Sequence, residues 1–337
     1  MIDVLVGGGG PAGLAAAIHA ALAGLEAVVV EPRTAPVDKA CGEGVMPGGV
    51  AALRGLGVEV TGRALRGIRY LDGDARAEAT FRGLGGLGIR RTALHSALHE
   101  RALGLGVRML PGKVGEVHQS ADTVTAAGIT ARWLIAADGL HSPVRRSLGL
   151  ELPGRPHGRY GLRRHYRAEP WTDFVEVHWS RHGEAYVTPV GDDLVGVAVL
   201  SDSRRGYDDH LAGFPALTAS LRGPAATEVR GAGPLLQRVR RRIAGRVLLV
   251  GDAAGYLDAL TGEGIALALA SAGAAVHCLA AGRPGAYEGA WVRLTRRHRL
   301  LTGALLAASR RPGTARLIVP AASRMPLLFS AAVHALQ

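Results

Sequence analysis

The start of the chain constrains the fold more than any other segment. "IDVLV", residues 2–6, is a short apolar run followed by glycines, which is typical of a buried parallel strand. "PAGLAAAIHAALAGL", residues 11–25, is rich in alanine and carries a proline in its first turn, so it predicts a helix. "EAVVVE", residues 26–31, reads as the next buried strand. A strand, a helix and a strand within about 30 residues form a βαβ unit, and we therefore predict an α/β, Rossmann-like fold.

The turn between the first strand and the helix fits the pattern G-x-G-x-x-G through Gly8, Gly10 and Gly13. Gly8 permits the tight turn, Gly10 lets a pyrophosphate approach the backbone, and Gly13 lets helix and strand pack closely. The helix N-terminus also offers free N–H groups to phosphates. Glu31 ends the second strand, where an acid accepts hydrogen bonds from an adenosine ribose and disfavours a 2′-phosphate. These residues predict FAD or NAD, rather than NADP, as the bound dinucleotide.

A second glycine-rich turn, "VGDAAGYLDALTGEG", follows another buried strand at residues 250–264. Asp252 stands where its carboxylate can accept hydrogen bonds from a polyol chain. Gly262 and Gly264 begin a helix whose free N–H groups suit an electron-rich ring edge. The plainer alternative is a helix start with a capping aspartate. Taken together, the two turns favour a ligand with phosphates at one end and a sugar alcohol and a ring at the other, which is the shape of FAD.

Composition limits the remaining functions. The chain has 337 residues and a net charge of +12, from 40 Lys and Arg against 28 Asp and Glu. The excess is almost all arginine, without a dense cluster, so we predict no nucleic-acid binding. Asp3 interrupts the N-terminal apolar run, and no apolar stretch reaches the roughly 18–20 residues of a membrane span, so we expect neither a signal peptide nor a transmembrane helix. Cys41 and Cys278 form no disulfide framework, which predicts a reducing, cytoplasmic location.

Four segments occur in an order that resembles one superfamily: "GGGPAG", "RRTALHSAL", "AADGLHSPVRRSLG" and "GDAAGYLDALTGEGIALALASA". They resemble the FAD-dependent aromatic hydroxylases, of the p-hydroxybenzoate hydroxylase type, and the geranylgeranyl reductases. The resemblance implies a GR2-type flavoprotein: a Rossmann-like FAD-binding domain with an inserted antiparallel β-sheet substrate domain and a helical C-terminus. "TGEGI" and "ACGEG" favour the reductases, whereas "ADGLHSPVRR" is neutral or favours the hydroxylases.

The resemblance also implies cofactor contacts. It places Arg91 and the Asp138-Gly139 pair beside FAD, Asp252 on the ribityl chain, and Val114 beside the adenine. It places the Cys-Gly-rich turn "DKACGEGVMPGG" close to the flavin and the substrate. The full predicted set of cofactor-binding residues is Gly8, Gly10, Pro11, Ala12, Gly13, Glu31, Arg33, Lys39, Ala40, Cys41, Gly42, Arg91, Val114, Asp138, Gly139, Asp252, Gly262, Gly264 and Ile265.

The alternation pattern changes in the middle of the chain, which predicts a second domain inserted into the first. Period-2 alternation between residues 155 and 235 is typical of an antiparallel sheet. We predict FAD-binding segments at 1–72, 91–154 and 236–285, substrate-domain strands at 73–90, a substrate-binding sheet at 155–235 and a helical region at 286–337. The predicted substrate-facing residues are His165, His178, Trp179 and Tyr186, each with a packed or solvent-facing role as its alternative.

These observations predict an enzyme, an FAD-dependent oxidoreductase with NADPH or NADH as a transient reductant. The first interpretation is a monooxygenase that hydroxylates an apolar or aromatic, polyketide-like small molecule. The alternative is a C=C reductase of the geranylgeranyl-reductase type, acting on an isoprenoid or lipid-like substrate. In that alternative, Cys41 and Glu43 are the candidate catalytic residues for proton transfer. A regulatory module that binds NAD or FAD without catalysis is the third interpretation.

Two further features are weak signals. His95 and His99 lie four residues apart, but no acid or third ligand accompanies them, so we predict no metal site. The apolar C-terminal tail either packs in the core, covers the substrate pocket or makes peripheral contact with a membrane.

Overall fold

The predicted βαβ unit is present at the N-terminus. The computed structural model of the chain describes residues 1–153 and 158–336. The first strand, β1, lies between two parallel neighbours in its sheet, and Val4, Leu5 and Val6 at its centre are fully buried. Helix α1 buries most of its alanines against the same sheet. This burial explains why the strand is apolar from Val4 to Val6 and does not alternate there.

The elements are numbered in chain order. The strands are β1 Ile2–Gly7, β2 Ala27–Glu31, β3 Gly44–Val45, β4 Arg63–Leu65, β5 Gly67–Asp72, β6 Ala75–Thr80, β7 Gly86–Gly88, β8 Arg108–Pro111, β9 Val117–Gln119, β10 Val124–Ala126, β11 Ile129–Ala136, β12 Glu151–Leu152, β13 Tyr160–Arg167, β14 Phe174–Ser180, β15 Gly183–Pro189, β16 Leu194–Ser201, β17 Arg230–Ala232, β18 Arg238–Val239, β19 Ile243–Ala244 and β20 Val247–Leu249. The helices are α1 Pro11–Leu22, α2 Pro47–Gly55, α3 Arg91–Gly104, α4 Pro143–Ser147, α5 Tyr207–Leu211, α6 Pro215–Ser220, α7 Gly264–Ala280, α8 Ala286–Ser309, α9 Pro312–Ala315, α10 Ile318–Arg324 and α11 Pro326–His334, with a 3-10 helix at Gly251–Ala254.

The first large sheet is the Rossmann-like core. Its main path runs β19-β20-β11-β1-β2-β8, and the five strands from β20 to β8 are parallel. Helices α1, α3 and α7 pack in the same hydrophobic core. Because β1 and β20 both pair with β11 in the same direction, the glycine-rich turns that follow them open at the same edge of the sheet. Ligands of open α/β sheets bind at this edge.

The second large sheet has seven strands in the order β17-β13-β16-β15-β14-β5-β6. The predicted alternation is present, and the sheet is antiparallel except where β5 and β14 run parallel. Strand β5, Gly67–Asp72, belongs to this sheet, although the predicted FAD-binding segment 1–72 includes it. The predicted boundary between 154 and 155 lies outside the described residues.

The C-terminal helices cover one end of the seven-stranded sheet. Helices α10 and α11 pack on β6, and the Phe329 ring of α11 lies 4.8 Å from the Tyr70 ring of β5, between centroids. Tyr70 in turn contacts Trp179, with 5.3 Å between the ring centroids. In the described part of the chain, no single helix has the length and apolar character to cross a membrane, but the bent pair 313–324 and 326–334 passes that test jointly, with a 99° bend.

Candidate functional site

The first glycine turn has the close backbone packing that its sequence predicts. A Cβ atom on Gly13 would lie 1.8 Å from the carbonyl oxygen of Gly8, so only glycine fits there. Gly9 N–H donates to Glu31 Oε2 at 2.7 Å, and Arg33 Nε donates to Glu31 Oε1 at 2.6 Å. The carboxylate that ends β2 is therefore fixed beside the turn, where a ribose can also donate to it.

Three cationic side chains surround the first turn. A Cβ atom on Gly10 would lie 3.8 Å from Arg91 Nη2, and one on Gly139 would lie 3.2 Å from Lys39 Nζ. Burial lowers the pKa of both Lys39 and Arg91, and Arg33 lowers both further. The Nε atom of Arg91 is buried and has no hydrogen-bond partner among the described residues. An anion held at this turn would offset the desolvation of these cations, so the residues fit a pyrophosphate.

The second turn meets the first. A Cβ atom on Gly251 would lie 2.7 Å from the Cβ of Ala12, so the two turns are in contact. Burial raises the pKa of Asp252, an effect that Lys39 opposes. Asp138 Oδ1 is buried and has no partner in the described residues, while its Oδ2 accepts from the Val144 N–H at 3.1 Å. One elongated dinucleotide can therefore contact both turns, and these carboxylates are available to its hydroxyl groups.

A loop at residues 38–44 connects this cofactor side to the seven-stranded sheet. Lys39 lies near Gly139 and Asp252, whereas Glu43 at the other end of the loop is 1% exposed. Glu43 adopts a left-handed backbone conformation, with φ of 59°, and its N–H lies 3.3 Å from Cys41 Sγ. Burial raises the pKa of the Cys41 thiol, so this group keeps its proton. The two candidate catalytic residues are thus neighbours, between the cofactor turns and the sheet.

The Glu43 carboxylate is paired with a buried histidine. Its Oε1 accepts from the Arg91 N–H at 2.7 Å, and its Oε2 lies 2.5 Å from His165 Nε2. Gly196 faces this pair, and a Cβ there would lie 3.3 Å from Glu43 Oε2. His165 is fully buried. The sequence predicted a substrate-facing role for His165 and a catalytic role for Glu43, and the structure brings the two together.

The other ring nitrogen of His165 determines where the proton lies. Arg163 Nη1 is 3.1 Å from His165 Nδ1, and the Thr227 hydroxyl is 2.9 Å from the same nitrogen. Arginine only donates, so Nδ1 accepts and Nε2 carries the proton that points at Glu43. Arg163 is held by Asp38, with 2.5 Å between Nη2 and Oδ1. This network therefore holds a proton between His165 Nε2 and Glu43 Oε2.

The four predicted substrate-facing residues divide between the two faces of the sheet. Trp179 and Tyr186 belong to the apolar cluster on the same face as His165, and Tyr186 donates its hydroxyl to the Leu260 carbonyl at 3.0 Å. His178 points to the opposite face, where it lies 3.3 Å from Glu176 Oε2. Adjacent strand residues point in opposite directions. His178 therefore does not share a face with the other three, which favours its packed or solvent-facing alternative, and the substrate-facing role of the other three stays a prediction.

The remaining predicted cofactor residues lie around the two turns. Pro11 and Ala12 form the first turn of α1, and Val114 packs against Gly7 at the end of β1. Gly264 and Ile265 begin α7. Ala40 and Gly42 lie in the loop at 38–44, and Gly262 lies against the Met46 side chain.

Sequence reasoning missed several members of the site. His95 Nε2 lies 2.9 Å from the Gly9 carbonyl, and Arg163 and Thr227 hold His165. Two of these had a detectable signal. His95 follows Arg91 by one helical turn, and Arg163 precedes His165 by two residues on a strand, so each shares a face with a predicted residue. Thr227 comes from a distant loop, and no local pattern points to it.

Known proteins resemble this chain in sequence and in fold. A family model described as "FAD binding domain" matches residues 111–186. A menaquinone reductase of Mycobacterium tuberculosis is 32% identical over 299 residues, covering 78% of this chain and 72% of the relative. Digeranylgeranylglycerophospholipid reductase 1 of Methanothermobacter thermautotrophicus is 29% identical, covering 78% and 73%. A solved flavoprotein/dehydrogenase from Cytophaga hutchinsonii superposes with a TM-score of 0.85 at 18% identity, covering 99% of this chain and 93% of that one.

The fold is that of the FAD-binding flavoproteins. Within that class, the chain belongs to the family of FAD-dependent oxidoreductases that includes the menaquinone reductases and the geranylgeranyl reductases.

A buried glutamate at the start of α7 makes stability depend on pH. Glu263 is 6% exposed, and burial raises its pKa to about 8. Between the unfolded value of about 4.3 and that folded value, the native state binds more protons than the unfolded state. The free energy of unfolding of the FAD-free protein should therefore fall as pH rises through this window, by up to about 1.4 kcal/mol per pH unit from this group.

Urea unfolding of the FAD-free protein at several pH values measures this slope. The Glu263→Gln variant should lose the part of the slope that Glu263 causes, and its stability should exceed that of the parent most at the alkaline end. Identical slopes in the two proteins would contradict the prediction. The comparison is between variants because Glu184, whose pKa burial raises to about 7, contributes a slope of the same sign to both.

Proposed function

We propose that this protein is an FAD-dependent reductase of carbon–carbon double bonds in an apolar, isoprenoid-type chain. The observation that carries the proposal is the buried Glu43–His165 pair, which adjoins the cofactor loop and lies on the apolar face of the seven-stranded sheet. Such a site needs one protected proton and an apolar wall. The names of the relatives, menaquinone reductase and digeranylgeranylglycerophospholipid reductase, support the same chemistry.

Each group that the reaction needs has a candidate in the chain. Bound FAD, once reduced, would supply a hydride for one carbon of the double bond. The other carbon would take a proton from the Glu43 carboxyl group, which is thereby left as the carboxylate that accepts from His165 Nε2. His165 keeps its own Nε2 proton throughout, with the half-buried Thr227 hydroxyl on its Nδ1, and solvent returns a proton to Glu43 after turnover. The Cys41 thiol, kept protonated by burial, is a second donor beside it.

The proposed cofactor contacts follow from the two turns. The first turn with Lys39 and Arg91 would hold the pyrophosphate, and Asp252 would bind the ribityl chain. The N-terminus of α7 would face the flavin ring, because its first N–H groups lack partners within the helix. We further propose that NADPH or NADH reduces FAD by transient binding, and that the protein works in the cytoplasm.

The substrate wall is proposed to be the apolar cluster between the sheet face and the C-terminal helices. Tyr70, Val177, Trp179 and Tyr186 supply its sheet side, and Met46 lies at the end nearest the second turn. When an apolar ligand packs against aromatic and aliphatic side chains of this kind, burial of its surface stabilises the complex by about 25 cal/mol per Å². An unsaturated hydrocarbon chain is therefore a better ligand for this wall than a polar aromatic ring.

An anaerobic assay tests the reaction. The FAD-loaded protein is reduced with NADPH or dithionite and mixed with a polyprenyl quinone or a geranylgeranyl lipid, and the product is analysed by mass spectrometry. We expect reoxidation of the flavin together with a product whose polyprenyl chain has gained two hydrogens; fragmentation locates them in the chain and separates this product from a reduced quinone ring, which would not support the proposal. The monooxygenase interpretation stays a prediction that the same assay tests in air. A product that gains one oxygen atom, or reduced flavin that no polyprenyl chain reoxidises, would overturn the proposed reaction.

A further inference from the structure

The bend between α10 and α11 exposes an unusual run of apolar residues. All six residues from 323 to 328, "SRMPLL", are exposed. Leu327 and Leu328 are 85% and 64% exposed, and Met325 is 47% exposed. Leu317, at the start of α10, is 57% exposed. Large apolar side chains that are exposed next to one another commonly mark a surface that binds a protein, a ligand or a membrane.

The same part of the chain is strongly basic. Residues 289–337 contain eight arginines and no aspartate or glutamate, so this segment alone carries +8 of the chain's net charge of +12. The exposed arginines among them include Arg310, Arg311, Arg316 and Arg324. None of these four is in a salt bridge among the residues that the structure describes. Burial raises the pKa of Asp258, and Arg310 is one of the groups that oppose this rise, so the charges available to an external anionic partner are chiefly those of Arg311, Arg316 and Arg324.

We propose that this surface, Arg310 to Leu328, docks the protein on an anionic phospholipid bilayer. An apolar tip that enters the acyl boundary and arginines that face the headgroups are the two contributions that hold a protein on such a surface. The two helices meet at 99° and each is short, so the pair suits a position in the interface. A charged protein partner would not require the contiguous Met325-Pro326-Leu327-Leu328 tip, and an apolar one would not require the arginines.

The position of this surface suggests that docking delivers the substrate, an inference that rests on the proposed function. Phe329 follows the exposed tip directly and packs on Tyr70, which contacts Trp179 in the apolar cluster. Ile318, Val319 and Ala322 of α10 belong to the same cluster. The tip thus lies at the outer end of the proposed substrate wall. A hydrocarbon chain dissolved in the bilayer would reach the wall from this end without passing through water.

Vesicle co-sedimentation of the FAD-loaded full chain tests the docking independently of turnover. The probes are vesicles of phosphatidylcholine alone and of phosphatidylcholine with phosphatidylglycerol. We expect binding to the anionic vesicles, weakened by high salt because charges at a surface are screened. Leu327→Ser with Leu328→Ser, and separately Arg316→Gln with Arg324→Gln, should each reduce the partition coefficient by on the order of tenfold or more.

Matched variants control for apolarity and charge. Leu22→Ser with Leu103→Ser removes two exposed leucines elsewhere, and Arg54→Gln with Arg222→Gln removes two exposed arginines elsewhere; both should bind as the parent does. No anionic-vesicle binding by the parent, or equal losses in test and control pairs, overturns the proposal. A dimer in solution that Leu327→Ser with Leu328→Ser dissociates, without vesicle binding, assigns the surface to a second copy and also overturns it. Failed docking leaves the anaerobic reduction assay unaffected, so the two proposals fail separately.

Discussion

Glu43→Gln should lower the rate of substrate reduction roughly 100- to 10,000-fold, the range typical of lost general acid catalysis. Glutamine keeps an oxygen for the Arg91 N–H but cannot share a proton with His165 Nε2. Binding of FAD should change little, because the carboxylate lies on the sheet side of the loop at 38–44. Stopped-flow reoxidation of the reduced flavin by a polyprenyl substrate measures the rate, and flavin absorbance after gel filtration measures the occupancy.

A second glutamate–histidine pair, of which the glutamate is buried and the histidine partly exposed, offers a close control. Glu176 also contacts a histidine, His178, on the opposite face of the same sheet, so Glu176→Gln should leave the reoxidation rate unchanged. His165→Gln should resemble Glu43→Gln, and the double variant should be little slower than either, because paired residues act as a unit. A Glu43→Gln rate within a few-fold of the parent would refute proton transfer by this pair.

Gly10→Ala and Gly13→Ala should have different effects, although both replace a turn glycine with the smallest side chain. A methyl group on Gly13 would lie 1.8 Å from a backbone oxygen, so this variant should lose both folding stability and FAD. A methyl group on Gly10 meets nothing closer than the Arg91 guanidinium at 3.8 Å, so that variant should fold normally. It should still lose FAD affinity by at least tenfold, because the methyl occupies the approach of the pyrophosphate.

Thermal unfolding of the FAD-free proteins and FAD titration separate the two effects. Gly104→Ala at the end of α3 is the control, since a methyl group there meets no atom within 4 Å. It should keep the parent's FAD affinity and its melting temperature, or raise the latter slightly through the helix preference of alanine. Normal FAD binding by Gly10→Ala would show that the phosphates lie elsewhere.

The parts of the fold that local pattern determines could be predicted from the sequence. The first βαβ unit, the turn after β20 and the alternating strands of the second sheet depend on spacing of 2 or 3.6 residues and on glycine positions, which are visible in the sequence. The parallel pairing of β5 with β14 could not be predicted this way, because both strands alternate like antiparallel ones and their partners are far apart in the chain. That pairing assigns Gly67–Asp72 to the second sheet.

In the candidate site, too, local pattern indicates some residues, whereas others depend on contacts between distant segments. Residues that follow a strand or open a helix, such as Gly8 and Asp252, could be proposed from the sequence because their position in an element suggests a role, whereas Asp138 is proposed from the family resemblance; their cofactor contacts stay predictions. The contact of Glu43 with His165 joins positions 122 residues apart and depends on a loop folding back over a sheet. No periodicity encodes such a contact. For His178 the alternation of a strand already favours the packed or solvent-facing alternative, since His178 and Trp179 are adjacent and point to opposite faces.

The left-handed backbone at Glu43 limits which side chains can replace it without rebuilding the loop. A side chain branched at Cβ is strongly disfavoured at φ of 59°, while asparagine, aspartate and glycine tolerate it. Divergence at this position is therefore restricted by conformation before any demand of catalysis applies. A homologue with aspartate there would preserve both the turn and the acid, whereas one with valine or threonine would have had to rebuild the loop. Position 43 of this chain is thus restricted by its backbone conformation as well as by the proposed proton transfer.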